Sequence, residues 1–223
     1  MLIAIEGVDK SGKETQTDLL IKRLLRENRG AKKIEFPNYS SEAAGALRMY
    51  LNGDFGKKPD DVNPYAASVL FAVDRYASYK TDWGAFHEAG GVVVADRYTM
   101  SNMIHQGAKI IDPAERRRFF DWIVDLEFIK IGLPRPDIVI FLDLPMDIRM
   151  DLMKKKAENA PPDARREPDI HENDAGYLNR SSACAREAAD LLGWIRIDAG
   201  RGGAMRPASD IHEEVYTAIA RMI

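Results

Sequence analysis

The chain has 223 residues, 45% of them hydrophobic, and its 32 Lys+Arg against 35 Asp+Glu leave a formal net charge of −3. That length suits one α/β domain over residues 1–223 with a small appended lid, and the charge excludes a global basic field for nucleic acid. A single cysteine, Cys184, excludes an internal disulfide framework and fits a reducing cytosol, and no apolar run approaches the roughly 20 residues of a membrane span.

The start, "MLIAIEG", lacks a basic region and reads as a strand over Leu2 to Ile5 rather than a signal peptide. From Gly12 to about Asn28 the pattern turns helical, with Leu20, Ile21, Leu24 and Leu25 on one stripe and Gly30 as a stop. "KIEF" is a second strand, closed by Pro37. Ser41 caps a helix to about Asn52, ended by Gly53. "VNPYAASVLFAVDRYASYK" is a helix with Asn63 as cap and Pro64 in its first position. "GGVVVAD" is strand three. "DPAERRRFFDWIVDLEFIK" is a helix with Asp112 as cap, and "DIVIFLDL" is strand four, apolar on both faces. "WIRIDA" is strand five, and a helix from about Ala208 to Met222 follows. Strands alternating with helices predict an α/β, three-layer fold: a five-stranded parallel sheet with helices on both faces. Ligands then gather at the carboxyl ends of the strands, in the loop after Ile5, in "FPNY" and in "DRY". Residues 154–174, "KKKAENAPPDARREPDIHEND", are charged, hold three prolines and lack a core pattern, so by composition they read as a solvated loop.

The stretch "IEGVDKSGKETQ" carries the first chemistry. Gly7, Gly12 and Lys13 keep the spacing of a phosphate-binding loop, with Val8, Asp9, Lys10 and Ser11 between the glycines. Such a spacing arises by chance in roughly 6 of 100 chains this long. Its placement between an N-terminal strand and an amphipathic helix makes the signal far stronger. Consecutive backbone N–H groups and the positive end of a helix cradle phosphates there, with Lys13 bridging the outer ones. Glu14 stands where a magnesium-binding hydroxyl is usual, and Thr15 points about 100° further round the helix. A carboxylate can hold Mg²⁺, yet it also repels a polyphosphate, and acidic residues favour helix N-termini for their own sake.

A second group lies further along. Phe71 and Arg75 share a helix face, which suits stacking on a base and forked hydrogen bonds to a phosphate; a core role for Phe71 is the competing reading. Asp96 and Arg97 end strand three. Asp96 suits a metal and Arg97 a phosphoryl group, against the alternative of a structural ion pair.

These stretches together resemble the thymidylate kinases, a P-loop nucleoside-monophosphate-kinase family, over nearly the whole chain. "EGVDKSGK" resembles the phosphate loop and "FPNYSSEAAG" the loop containing Phe36 and Pro37. "LFAVDR" resembles the base-stacking helix, and "DRYTMSNMIHQGAK" the most specific signature. "GLPRPDIVIFLDLP" resembles the strand before the lid, and "DIHEND" the lid's acidic end. The resemblance implies transfer of the ATP γ-phosphate to dTMP, giving dTDP, with Mg²⁺, in a cytoplasmic homodimer. It implies that Lys13 meets the donor phosphates and Asp9 the acceptor sugar and phosphate. Phe71 stacks on thymine, Arg75 and Arg97 bind the acceptor, and Asn102 and Gln106 approach the base edge. His105 falls near the sugar's 2′ carbon or is an ordinary helix histidine. Three departures stand out: Glu14 in the loop; Tyr39 near where many relatives carry a phosphate-binding arginine, so that Arg48 or another residue has to compensate; and Lys10 in the phosphate loop, which leaves Arg165 or Arg166 of the lid as the catalytic arginine. The competing functions are a kinase for another pyrimidine monophosphate and a nucleotide-binding regulator that has lost catalysis through Glu14.

Overall fold

The computed structural model describes residues 1–159, 170 and 174–222. Five parallel strands form the central sheet in the order β2-β3-β1-β4-β5. They are β1 (Leu2–Gly7), β2 (Ala31–Glu35), β3 (Val92–Asp96), β4 (Ile138–Asp143) and β5 (Ile195–Asp198). The helices between them are α1 (Lys13–Arg26), α2 (Gly45–Leu51), α3 (Pro64–Ser78), α4 (Gly84–Glu88), α5 (Met100–Gly107), α6 (Pro113–Val124), α7 (Met146–Asn159) and α8 (Ala175–Leu192). A short antiparallel hairpin, β6 (Gly200–Arg201) and β7 (Ala204–Met205), precedes α9 (Ala208–Ile219).

Strand alternation divides the core into two layers. Ile3, Ile5, Val94, Ile140 and Leu142 face Leu20 and Leu24 of α1 and Ile211, Val215 and Ile219 of α9. Leu2, Ala4, Val93, Ala95 and Phe141 face the opposite way, against Met103 and Ile104 of α5, Phe119, Phe120 and Ile123 of α6, and Ala185 and Ala188 of α8. Each fully buried Leu, Ile or Phe contributes about 1.5–3 kcal/mol against exposure, which is why a side chain's face on the strand is strongly specified. Caps behave as the residue types predict. Asn63 accepts from the Tyr65 amide, Asp112 from the Glu115 amide, and Ser41 from the Ala43 amide that starts a single 3₁₀ turn before α2.

Several boundaries differ from the sequence pattern. Phe36 lies beyond β2, and its peptide bond to Pro37 is cis. The long helix starting at Pro64 passes through a π-helical turn at Tyr79–Trp83 into α4, and the one starting at Pro113 ends in a second π turn, Asp125–Lys130. The charged segment expected as loop from residue 154 begins as helix, because α7 runs on to Asn159. The rest of that segment, except Ile170 and Asp174, lies outside the described residues, and so do Arg165 and Arg166. Helices α5, α7 and α8 lie where no long periodic apolar run announces them. In α8 the buried face is Tyr177, Leu178, Ser181, Cys184, Ala185, Ala188 and Ala189, too small a set of side chains to read as a stripe.

Candidate active site

The phosphate loop runs from the carboxyl end of β1 into α1. A Cβ on Gly7 would stand 2.4 Å from Ser11 Oγ and 2.8 Å from the Leu142 carbonyl, so the loop can fold this tightly only with glycine there. Gly12 (φ 90°) and Lys10 (φ 69°) are left-handed. Lys13 Nζ donates to the Val8 carbonyl at 2.9 Å, and the side chain is buried. Burial pushes its pKa down to about 8; Arg97 adds to the fall, and Asp9, Asp96 and Glu6 oppose it. A polyphosphate would reverse that penalty. Val8 and Ser11 are buried, whereas Glu14 and Thr15 are exposed at the start of α1. Glu14 therefore sits as a first-turn acid on the helix surface, and Thr15 does not turn inward to take the hydroxyl's place.

Asp9 joins this loop to two arginines. One of its oxygens accepts from Arg97 and the other from Arg149 Nη2 at 3.0 Å. Burial alone would raise the Asp9 carboxyl; Arg97, Lys13, His105 and Arg149 outweigh it and hold the group far below the ordinary carboxylate range. Arg97 follows β3 with a left-handed φ of 68°. Its guanidinium also reaches His105 Nε2 at 3.2 Å, and Ser101 Oγ and the Gly7 carbonyl at 3.4 Å each. Arginine only donates, so in the neutral imidazole Nε2 accepts and Nδ1 carries the proton toward Tyr177 Oη, 3.4 Å away, while the charged imidazole is the form that helps hold Asp9 ionised. Tyr177 Oη in turn donates to the His105 carbonyl at 3.0 Å.

Asp96 ends β3 close enough to Lys13 and Arg97 to act on the charge of both. Among the described residues no group of three or more His, Cys, Asp or Glu is arranged to hold a metal.

The second half of the site lies along α3 and α5. Phe71 is half-buried and meets Tyr50 edge to face, 6.2 Å between centroids. Arg75 is fully buried and forks onto Glu127, Nε to Oε2 at 2.7 Å and Nη2 to Oε1 at 2.6 Å. Thr99 Oγ1 and Asn102 Nδ2 donate to the same carboxylate, and Asn102 also donates to the Ser68 carbonyl. Gln106 is buried with neither amide atom hydrogen-bonded among the described residues. In the "FPNY" loop, Phe36 is buried against Tyr98 and Tyr39 is exposed. Arg48 donates to the Tyr39 and Ser41 carbonyls, both at 2.8 Å, and Asp74 accepts from the Asn38 amide. One Arg48 nitrogen is therefore spent on fixing this loop.

Three residues of the site escape sequence reasoning. Glu6 is fully buried in β1, Arg149 is buried in α7, and Glu127 pairs with Arg75 across 52 positions. A charged residue inside an apolar strand was the one available signal for Glu6. Arg149 and Glu127 sit in helices where charged residues usually face water, so nothing local marks them.

Comparison with known proteins agrees with this geometry. The family model "Thymidylate kinase" matches residues 5–203. A thymidylate kinase of Mycobacterium tuberculosis is 33% identical over 195 residues, 87% of either chain. The human thymidylate kinase is 28% identical over 216 residues, 96% of this chain and 87% of the human one. A solved thymidylate kinase structure from Candida albicans superposes with a TM-score of 0.69 at 21% identity, covering 99% of this chain and 91% of that one, a likeness of fold. With the phosphate loop, the "DRY" turn and α3 all inside the matched span, the chain belongs to the thymidylate kinase family.

Proposed function

We propose that this protein transfers the γ-phosphate of ATP to dTMP, giving dTDP. The observation that carries the reading is the meeting of Lys13, Arg97 and Arg149 around Asp9, between the phosphate loop and the "DRY" turn. Two anions must approach each other for the transfer, and these cations cancel the repulsion without a covalent intermediate. Lys13 takes the donor phosphates with the backbone amides of Gly7 to Thr15. Arg97 and Asp9 take the acceptor's phosphate and sugar. Phe71 stacks on thymine. Asn102 and the unpartnered amide of Gln106 read the base edge, Arg75 supports that edge from its pairing with Glu127, and His105 lines the sugar. Phe36, Pro37, Tyr39 and Arg48 form the loop that closes the acceptor side. Mg²⁺ would be held by Asp96 and, when bound, would supply further neutralisation of phosphate charge, with Glu14 on the exposed face of α1 the weaker candidate ligand. Arg165 or Arg166 of the lid completes the charge around the transferred group, and lid closure excludes water.

The working form is a homodimer in the cytoplasm, where a lone free cysteine such as Cys184 stays reduced. Support for pairing comes from Val69, Val73 and Tyr76, exposed at 40%, 47% and 41% along α3. Among the described residues no helix is long and apolar enough to cross a membrane.

The test is a coupled ADP-release assay with ATP, Mg²⁺ and a panel of nucleoside monophosphates, on the native chain and on Glu14→Ser. dTMP-dependent turnover by the native chain is the expected result, with Glu14→Ser little different because Glu14 lies on the helix surface. Turnover only with another monophosphate reassigns the acceptor. No turnover until Glu14 is replaced makes the chain a silenced nucleotide binder.

A further inference from the structure

Glu6 lies at 0% exposure in β1, one residue before the phosphate loop. Its two oxygens are both engaged by the segment that follows β3. Oε1 accepts from the Tyr98 amide at 2.7 Å, and Oε2 accepts from the Ser101 hydroxyl, also at 2.7 Å. Ser101 Oγ is in turn an acceptor for Arg97 Nη1 at 3.4 Å. A hydroxyl has one proton. With that proton given to Glu6, the lone pairs of Ser101 face the guanidinium, which has only donors to offer.

We propose that Glu6 is a positioning residue for phosphoryl transfer: it orients the Ser101 hydroxyl and fixes the Tyr98 amide, so that Arg97 is held in its left-handed conformation with its guanidinium on Asp9. This rests on the reading of the site as the transfer site. Only a carboxylate satisfies both contacts. An amide at this position has one acceptor and one donor. Turned one way, its NH₂ faces Ser101 and drives the hydroxyl proton toward Arg97. Turned the other way, its NH₂ faces the Tyr98 N–H. Either orientation leaves one donor against another inside a buried site, where an unmade hydrogen bond costs most. Burial pushes the Glu6 carboxyl above the usual carboxylate range, while the Ser101 hydroxyl, Arg97, the Tyr98 amide and Lys13 oppose that rise and favour its charged form.

The experiment compares Glu6→Gln, Ser101→Ala and the double variant with the native chain, in steady-state kinetics with ATP and dTMP. Expected is a rise of about tenfold in KM for dTMP in each single variant, with KM for ATP within about twofold. The double variant should be no worse than the worse single one, because Glu6 acts through Ser101. Native KM for dTMP in a folded Glu6→Gln protein overturns the proposal. So do equal losses for both substrates, or effects that simply multiply. If Glu6→Gln does not fold, Ser101→Ala carries the same KM split alone, and its absence overturns the proposal. Crystal structures of native and Glu6→Gln protein separate this from the function itself. If the native chain shows no dTMP-dependent turnover, the proposed function fails, while loss of the Arg97–Asp9 contact in the variant still supports the positioning role and an unmoved Arg97 overturns it.

Discussion

Arg75 and Arg97 each meet a carboxylate beside α5, but in different surroundings. The Arg75–Glu127 pair is 1% and 0% exposed, bidentate, and completed by Thr99 and Asn102. Its geometry resembles the interior of a finished network, in which each partner is held by several others. The Arg97–Asp9 pair is 18% and 25% exposed, and Arg97 reaches it from a backbone conformation that L residues seldom adopt. Around it stand Lys13, whose charge burial disfavours, and Arg149, whose Nε has no hydrogen-bond partner among the described residues. One arginine holds helices together. The other is kept in tension, with cations whose charge a phosphate would balance. The same residue type serves opposite ends according to how completely its neighbours satisfy it.

The comparison breaks most visibly at Glu127. Glu127→Ala leaves Arg75 charged, buried and unpaired, and should cost about 3–5 kcal/mol of stability, read by urea unfolding. A loss below 1 kcal/mol would mean that the network is not sealed. Arg97→Ala should do the reverse: unfolding changes little, while turnover with saturating substrates falls about 10²–10³-fold. Loss of stability without loss of rate would make the two arginines alike. Arg97→Gly sharpens the point. It should be as inactive as Arg97→Ala yet more stable than it by about 1 kcal/mol, because only the alanine keeps the left-handed strain.

The smallest effect is protonic. The pKa of Lys13 is about 8 in the free protein, below the ordinary lysine value of about 10.4. Between those values the unfolded chain binds more protons than the folded one, so this group makes stability rise with pH across that window, and Lys109, also near 8, has the same sign. The slope should flatten in Lys13→Met. Phosphates restore the lysine's charge, so ATP binding at pH 8 should take up about half a proton at this residue. Calorimetry in buffers of different ionisation enthalpy measures it, and no difference between native chain and Lys13→Met would contradict the desolvated lysine.

The sheet was legible from the sequence because β1, β3 and β4 are apolar runs that must be buried on both faces, and each is followed by a crossover. The phosphate loop was legible because glycine spacing is a local property. Arg75 was less so. Its side chain reads as a ligand fork when only the helix face is known, and its carboxylate partner is 52 residues away. Glu6 is masked by the opposite effect, since an apolar strand tolerates a carboxylate only where distant donors, here Tyr98 and Ser101, arrive to meet it. Long-range partners of this kind leave no trace in local periodicity. The charged segment from residue 154 is a further case: its sequence reads as loop and conceals that its first residues continue α7.

The π turn at Asp125–Lys130 has a consequence for length rather than chemistry. Its wider winding, closed by the Ile131 amide on the Leu126 carbonyl at 2.9 Å, takes one residue more than an α turn and delivers Glu127 to Arg75, Thr99 and Asn102. Deleting a single residue here would turn everything beyond it by about 100°. Conservative replacements along 125–130 should therefore be borne far more easily than a one-residue deletion, and an insertion that keeps the sequence of Glu127 but shifts its phase would empty the network as surely as removing the glutamate.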